Sequence, residues 1–228
     1  MKIKYDYQIF GSQEYGGISK YHYYLASGLF NRGIKVEVVA PFYINKFLCS
    51  DKNRFVKGIS INLPSKYLVR MFRYINMFFD YLLSFNKNYD IVHKTYYSIV
   101  TGSKKHRNVK NILTIHDMNY ELYPQYFKNS QKFSDIRKKN LFEADHIISV
   151  SNTTKNDLIR IFGISPNKIS VVYHGVDKKI FFKNKTDNLL KQKYGEYLLY
   201  VGKRNGYKNF RTLLELFSKD IDLKSKYK

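Results

Sequence analysis

The chain has 228 residues, enough for one large domain and part of a second. Hydrophobic residues make up 44% and charged residues 25%, a composition that favours a globular fold over a disordered chain. The net charge of +22 points to a phosphate-bearing partner such as a nucleic acid, an anionic lipid or a nucleotide. The single cysteine, Cys49, excludes an internal disulfide framework and a cysteine-rich zinc site. Because the N-terminus lacks the apolar run of a signal peptide, we expect the chain in the cytoplasm.

Strand-like and helix-like segments alternate along the chain, a pattern typical of a parallel α/β sheet with helical crossovers. The first segments are a strand over 3–9, a glycine-containing loop over 11–17, and a helix over 18–31 closed by Gly33. Further strands are predicted over 35–39, where Pro41 ends the strand, and over 90–93, 111–115, 146–150 and 168–173. Further helices are predicted over 66–85, 131–143 and 152–162, the last capped by Ser151 or Asn152 and ended by Gly163.

The helix over 66–85 is the most apolar, but Arg70, Arg73 and Asp80 argue against a membrane span. Helical spacing places one set of apolar residues on a common stripe: Leu68, Phe72, Ile75, Phe79 and Leu82. Two interpretations stay open. The helix packs on the sheet, or it is a basic, aromatic helix that rests on an anionic membrane surface.

The pattern restarts after a polar, lysine-rich stretch, which divides the chain into a complete α/β domain over 1–177, a linker over 178–196 and a final segment over 197–228. That segment is predicted to be a buried strand over 197–201, a basic loop over 202–208 and a helix over 209–218. Because these elements cannot bury a core alone, we expect the opening unit of a truncated second domain. Its unpaired strand edge and apolar helix face favour self-association.

Two glycines precede the first helix. Gly16 and Gly17 would present backbone amides and the positive end of the helix dipole to an anion. They do not form the spaced glycine fingerprint of dinucleotide-binding proteins, and a tight strand-to-helix turn is the alternative interpretation.

His116 and Asp117 follow the buried strand over 111–115. In open α/β sheets, ligands bind beyond the carboxyl ends of the strands, which places His116 where a ligand would lie. An imidazole there can donate a hydrogen bond or hold a proton near neutral pH. The alternative is a structural loop histidine hydrogen-bonded to Asp117.

Other polar residues carry weaker signals. His93 and His174 also end strands, but no carboxylate or cysteine accompanies them at ligand spacing, so no metal site is expected. Glu121 and Glu143 are interpreted as isolated carboxylates rather than a glycosidase-type acid pair. Three further histidines are interpreted as structural: His22, His106 and His146.

A basic loop follows the strand predicted over 197–201. It contains Arg204 and Lys208 just before a helix, an arrangement that suits a diphosphate because both side chains are cationic and the helix N-terminus adds partial positive charge. In so basic a chain, a solvated loop is the alternative.

Several segments together resemble a known family. They are Gly16-Gly-Ile-Ser-Lys-Tyr21, Leu29-Phe-Asn-Arg-Gly-Ile-Lys-Val36, Asp90-Ile-Val-His93, Thr114-Ile-His-Asp117, Ala144-Asp-His-Ile-Ile-Ser-Val-Ser151, Lys168-Ile-Ser-Val-Val-Tyr-His-Gly-Val-Asp177 and Tyr200-Val-Gly-Lys-Arg-Asn-Gly-Tyr-Lys-Asn209. In order and spacing the chain resembles the N-terminal half of a retaining family-4 glycosyltransferase with the GT-B fold. The resemblance implies a Rossmann-like acceptor-side domain over 1–177 and the first strand–loop–helix of a nucleotide-sugar-binding domain over 197–228.

The resemblance also implies roles for single residues. His116 would contact the transferred sugar, with Asp117 and His93 on the acceptor side or supporting it. Gly16 and Gly17 would approach the donor diphosphate, and Arg204 and Lys208 would clamp it as it leaves. The family usually needs no metal, so the expected ligands are a nucleotide-sugar donor and a lipid-linked or other glycan acceptor, in assembly of bacterial surface polysaccharide such as O-antigen or capsule. Such an enzyme would sit in the cytoplasm, peripherally on the inner face of the plasma membrane.

The chain ends before an acidic motif that the family carries, Glu-x-x-x-Phe-Gly-x-x-x-x-Glu. We therefore expect a fragment, a truncated reading frame or one half of a split enzyme, and whether the chain is an enzyme by itself stays open. The alternative function is an inactive binding module that needs a separate donor domain. A nucleic-acid binder is disfavoured because the basic residues form no recognition motif.

Overall fold

The computed structural model describes residues 1–49, 54–62, 66–85, 87–97, 108–176, 192–202, 204 and 206–227, with the backbone alone over 66–70. Contacts within the chain divide these residues into two units. The first comprises Met1–Leu122 and Asn129–His174, and the second comprises Tyr123–Lys128 and Gly175–Lys228. Most of the predicted linker, up to residue 191, lies outside the described residues.

The described part of the first unit contains a sheet of seven parallel strands, in the order β3–β2–β1–β4–β5–β6–β7. The strands are β1 (Lys2–Tyr5), β2 (Lys35–Tyr43), β3 (Val56–Ser60), β4 (Ile91–Lys94), β5 (Lys110–Ile115), β6 (His146–Ser149) and β7 (Ile169–Val171). The chain runs outward from β1 to β3, then returns to β4 on the other side of β1. The strand order therefore reverses between β1 and β4, and such a switch point is where open α/β sheets bind ligands.

Helices connect the strands, as the alternating pattern predicts. In the first unit they are α1 (Gly17–Asn31), α2 (Lys66–Ser84), α3 (Asn119–Leu122), α4 (Ser130–Glu143) and α5 (Asn152–Phe162). The described part of the second unit has α6 (Phe210–Lys219) and α7 (Ile221–Lys226). Short 3₁₀ turns cover Lys46–Cys49, Pro124–Tyr126, Pro166–Lys168 and Gly206–Lys208.

The ends of α5 show how local sequence sets an element's bounds. The Ser151 hydroxyl accepts a hydrogen bond from the Thr154 backbone N–H at 3.0 Å, as an N-cap does. At the other end Gly163 has φ 65°, the left-handed conformation that glycine adopts without steric cost. Both ends confirm the prediction.

Two apolar clusters form the core of the first unit. One joins β1, β2 and α1 and includes Tyr5, Phe10, Ala26 and Val38. The other joins β5, β6 and α5 and includes Ile115, Ile147 and Leu158. The sheet and its crossover helices thus bury apolar side chains on both sides of the switch point between β1 and β4.

Two strand ends were predicted wrongly. β1 ends at Tyr5 rather than residue 9, because residues 7–13 turn, with the Gly11 N–H bonded to the Tyr7 carbonyl at 2.8 Å. Ile9 and Phe10 are buried inside this turn, which makes them look like strand residues. β2 continues through Pro41 to Tyr43, since its pairing with β3 shifts register between Val39 and Phe42. At this irregularity the proline needs no N–H for a ladder hydrogen bond.

The predicted stripe on α2 is partly correct. Phe72 and Phe79 both pack edge-on against Phe42 of β2, which confirms that this face of the helix lies on the sheet. Leu82, however, is exposed, because the helix turns it away from β2. The side chain of Leu68 lies outside the described residues.

The strand predicted over 197–201 is wrong. These residues have no regular structure, and Leu199 and Val201 are 76% and 85% exposed. A strand needs a hydrogen-bonding neighbour, and the described residues of the second unit contain none. The helix predicted to follow is present as α6, with exposed leucines at 213, 214 and 216.

Candidate functional site

The first part of the site is the glycine turn that begins α1. Gly16 is extended, with φ 179° and ψ 159°, and no side chain caps the helix. The first amides of a helix have no intrahelical acceptor, so α1 offers N–H donors here. A Cβ at Gly17 would meet no described atom within 4 Å, whereas one at Gly16 would press on the side chain of Gln13. Gly17 therefore keeps the open side of the turn accessible.

The second part is His116, the first residue after β5. The Tyr21 ring of α1 meets it edge-on at 5.0 Å between centroids, and His174 stacks on it at 5.5 Å with the planes 8° apart. Its Nε2 atom is buried and has no hydrogen-bond partner among the described residues. An imidazole held by rings on two sides, with one nitrogen unpartnered, is a fixed group with unused hydrogen-bonding capacity.

Behind His116 lies His93, at the carboxyl half of β4. It is buried, and its Nε2 lies 2.8 Å from the Thr114 hydroxyl, which in turn lies 3.4 Å from the Tyr21 hydroxyl. Tyr5, its neighbour in β1, places its ring 5.1 Å away. His93 therefore supports the site from within the sheet and is not itself exposed to a ligand.

His22 of α1 completes the group. It is fully buried, both of its ring nitrogens lack a partner among the described residues, and its ring lies 5.2 Å from His93 and 5.9 Å from His116. The sequence interpretation of His22 as a structural histidine did not place it beside His93 and His116. Its signal was helical spacing, since His22 shares the buried face of α1 with Ser19, three residues before it, and Ala26, four residues after it.

Burial keeps these imidazoles uncharged. It lowers the pKa of His116 to about 4, helped by His174 and Arg137, and lowers the pKa of His93 to about 3, helped by His116. The pKa of His22 is also well below its usual range, because of burial and then the neighbouring histidines. At neutral pH, His116 therefore acts as a neutral hydrogen-bonding group rather than a cation.

A buried ion pair holds the loop that follows β5. Arg137 of α4 donates from Nη1 to Glu121 Oε2 at 2.6 Å and to the Asp117 carbonyl at 2.9 Å. Its guanidinium also lies over the rings of Tyr97 and Tyr120, at 4.9 and 5.5 Å. The two charged side chains are 2% and 4% exposed, so the loop that carries His116 and Asp117 is anchored in the protein interior.

The two carboxylates that were interpreted as isolated rather than as an acid pair each contact a cation. Glu121 pairs with Arg137, and Glu143 lies 3.4 Å from Lys94. The Asp117 carboxylate accepts a hydrogen bond from the Asn119 backbone N–H at 3.2 Å. Its side chain is half-exposed, which leaves it available near His116.

Arg204 and Lys208 belong to the second unit, which is described separately from the first. The Arg204 guanidinium lies 5.6 Å from the Phe210 ring, and Lys208 ends the 3₁₀ turn with its ammonium 5.0 Å from the Tyr207 ring. In the described part of the chain neither forms an ion pair with a carboxylate. Both cations can therefore form an ion pair with an anionic ligand.

The described residues hold no group of three or more histidine, cysteine or carboxylate side chains suited to a metal ion. The rings of His22, His93, His116 and His174 instead meet face to edge or in a stack.

Comparison with known proteins decides the family. Residues 15–179 match the sequence profile described as Glycosyltransferase Family 4. The chain belongs to glycosyltransferase family 4. The matched residues of this family-4 chain include the glycine turn, His93, His116 and Asp117, whereas Arg204 and Lys208 lie beyond them.

A curated relative and two solved structures are similar to this family-4 chain. The O-antigen chain mannosyltransferase RfbU of Salmonella typhimurium is 28% identical over 103 residues, which cover 45% of this chain and 27% of that protein. A glycosyltransferase from Rickettsia africae is 17% identical with a TM-score of 0.56, covering all of this chain and 67% of that one. Anabaena Alr3699/HepE, crystallised with UDP and glucose, is 14% identical with a TM-score of 0.58, covering 98% of this chain and 59% of that one.

These structural likenesses establish an α/β, Rossmann-like fold related to those glycosyltransferases. The chain corresponds to about a quarter of the curated relative's length and to two thirds or less of these two solved chains.

Proposed function

We propose that this family-4 chain takes part in the transfer of a sugar from a nucleotide-sugar to a lipid-linked glycan, in assembly of a bacterial surface polysaccharide such as O-antigen or capsule. The observation that carries the proposal is His116, which follows β5 with a buried, unpartnered Nε2 and lies within the residues matched to the family. The similar RfbU protein is named for an O-antigen chain, and Anabaena HepE structures contain UDP or UDP-glucose.

The donor would meet the glycine turn and the basic pair. The open side of Gly17 lets the diphosphate approach the first amides of α1, where hydrogen-bond donors and the helix dipole favour negative charge. Arg204 and Lys208 would neutralise the charge that grows on the diphosphate as it leaves. These cations would stabilise the leaving diphosphate as a metal ion does in other transferases, so the proposal includes no metal cofactor.

His116 would bind the sugar while the bond exchange occurs. The bond from the anomeric carbon to the diphosphate oxygen breaks, the acceptor hydroxyl oxygen bonds to that carbon with retained configuration, and the hydroxyl proton passes to the leaving diphosphate. A neutral imidazole suits this place because it hydrogen-bonds a sugar hydroxyl without adding positive charge beside an anomeric carbon that is itself becoming positive. Asp117 is exposed beside His116 and would lie on the acceptor side, and His93 supports Thr114 from behind.

A transfer assay tests the proposal. The full chain is incubated with labelled UDP- and GDP-sugars and a bacterial lipid extract, and label is measured in the lipid fraction. We expect His116→Ala to reduce transfer at least about a hundredfold while donor binding persists, and Arg204→Ala with Lys208→Ala to weaken donor binding. The matched controls are His146→Ala, a strand histidine bonded to Ser170, and Lys224→Ala with Lys226→Ala in α7.

The outcomes separate the two functions expected from the sequence. Transfer by the chain that depends on His116 supports the proposal. Donor or acceptor binding without transfer, in an assay where a complete family-4 enzyme is active, overturns it in favour of a binding module.

A further inference from the structure

Helix α2 carries an exposed apolar face. Its inner face lies on β2, where the Asn76 side chain donates to the Phe42 carbonyl at 2.8 Å and accepts from the Phe42 N–H at 2.7 Å. Its outer face, continued by the residue after the helix, holds six large apolar side chains that are between 48% and 62% exposed: Met71, Tyr74, Phe78, Tyr81, Leu82 and Phe85. We call these six residues the outer stripe.

The outer stripe is continuous along the helix. Successive members are one, three or four residues apart, so they lie on one side of α2 over four turns. At a rise of 1.5 Å per residue, the stripe is about 20 Å long. Four of its six side chains are aromatic, and a contiguous exposed apolar patch is typical of an interaction site.

The charge described on the exposed side of α2 is positive. Lys66, Arg70 and Arg73 belong to α2, and Arg73 is exposed next to Tyr74. The single acidic residue of the helix, Asp80, points inward and pairs with Lys4 of β1 at 2.7 Å. The described outer surface of α2 therefore combines apolar side chains and a basic residue with no carboxylate.

We propose that the outer stripe of α2 docks on the surface of an anionic lipid bilayer. The aromatic side chains would enter the headgroup region, and the basic residues would pair with lipid phosphates. No described helix is long and apolar enough to cross a membrane, so the contact would be peripheral. The choice of a bilayer rests on the proposed function, because a lipid-linked acceptor lies in one.

Charge favours a bilayer over a second copy of the chain. The net charge is +22, so two copies that joined their outer stripes would bring like charges together, whereas an anionic surface attracts each copy. The same attraction concentrates the chain at the membrane before any apolar contact forms, and aromatic side chains then add affinity that salt does not screen.

Vesicle sedimentation tests this docking without any nucleotide-sugar present. The full chain is mixed with vesicles of phosphatidylcholine alone or of phosphatidylcholine with phosphatidylglycerol, at about 0.1 M and about 1 M salt. We expect binding to the anionic vesicles that falls at high salt. Tyr74→Ser, Phe78→Ser and Tyr81→Ser combined should lower the partition coefficient at least about tenfold, and Arg73→Ala should lower it only at low salt.

The matched control combines Tyr24→Ser, Tyr126→Ser and Phe142→Ser, three aromatic residues with 53–57% exposure outside α2. This control should bind anionic vesicles as the unaltered chain does, and both triple variants should keep their circular dichroism spectrum. Equal binding to neutral and anionic vesicles overturns the proposal, as does unchanged binding of the stripe variant. A stripe variant that binds vesicles normally but loses a dimer on size exclusion would assign the face to a second copy. Because no donor is present, failure of sugar transfer cannot produce any of these outcomes.

Discussion

The imidazole rings of His116 and His174 stack in parallel, with centroids 5.5 Å apart and planes 8° apart. The two residues follow β5 and β7, so the stack joins loops that extend from strands on either side of β6. His174 is exposed and covers one face of the more buried His116 ring. His174 therefore both buries the His116 ring and places a second basic group beside it.

Removing that cover should raise the pKa of His116. Its value of about 4 results first from burial and then from His174, so His174→Ala weakens both causes. His174→Phe keeps the ring and removes only the basic group, and should raise the pKa less. NMR titration of the His116 ring protons measures both shifts. His146→Ala is the control that should leave the pKa of His116 unchanged, and a lower pKa in His174→Ala would contradict the assignment.

Replacing His22 should make the protein more resistant to acid. The unfolded imidazole takes up a proton below about pH 6.5, but the buried one does so only at a far lower pH, so stability falls as the pH drops through 6.5. Each such histidine costs up to about 1.4 kcal/mol per pH unit. His22→Phe removes one of them, and its stability relative to the unaltered chain should rise by about 1–2 kcal/mol between pH 7 and pH 5.

Urea unfolding at several pH values measures this difference. Burial raises the pKa of Asp6 and Asp80, so these two carboxyl groups increase the free energy of unfolding as the pH falls, whereas His22 decreases it. Both carboxyl groups are present in both proteins, so their effect cancels in the comparison. A constant difference between the two proteins from pH 7 to pH 5 would show that His22 is not the residue that resists protonation.

Breaking the ion pair between Arg137 and Glu121 should destabilise the first unit. Arg137→Met leaves the Glu121 carboxylate buried without its partner, which should lower the free energy of unfolding by about 3–5 kcal/mol. Adding Glu121→Leu removes the stranded charge and should restore part of that loss. A double-mutant cycle in urea measures the coupling, and Arg160→Met at the exposed pair with Asp157 is the control, expected to cost less than about 1 kcal/mol. Strictly additive losses would show that the two groups do not interact.

Adding a methyl group at Gly17 should weaken nucleotide-sugar binding without unfolding the protein. The added Cβ meets no described atom, so the fold accepts it, but it occupies the open side of the turn where a diphosphate would approach. We expect Gly17→Ala to reduce donor affinity about tenfold, or ~1.4 kcal/mol. Gly28→Ala, on the same helix with only the Arg32 side chain 3.5 Å away, is the matched control and should leave affinity unchanged. Calorimetric titration with UDP-sugars gives both values, and equal affinity in the two variants would place the donor elsewhere.

Local signals in the sequence predicted much of the fold. The cap at Ser151 and the left-handed glycine at Gly163 fixed α5, and the apolar run before His116 located β5. Signals failed where tertiary packing overrode local chemistry. Pro41 does not end β2 because the register shift beside β3 accommodates it, and Ile9 is buried in a turn rather than in a strand.

The candidate site was predicted less completely, because its contacts join residues that are far apart in the sequence. His116 was found from its place after a strand, but Tyr21 lies 95 positions before it, and no spacing rule connects them. Arg137 lies 16 positions after Glu121 and in a different helix, so their pairing appears only after α3 and α4 pack together. Positions at strand ends can be predicted from alternation alone, whereas the residues that hold them in place cannot.

Helix α1 connects the glycine turn to the stacked histidines through Tyr21. Gly17 begins this helix and Tyr21 lies one turn further on, with its ring against both His116 and His174. Both residues belong to the first turns of α1, so a shift of this end of the helix would displace the glycine turn and Tyr21 together. Such a shift would change the contacts of the Tyr21 ring with the two stacked imidazoles. Since the chain has no tryptophan, Tyr21→Trp would place a single indole at this joint and make its motion visible by fluorescence.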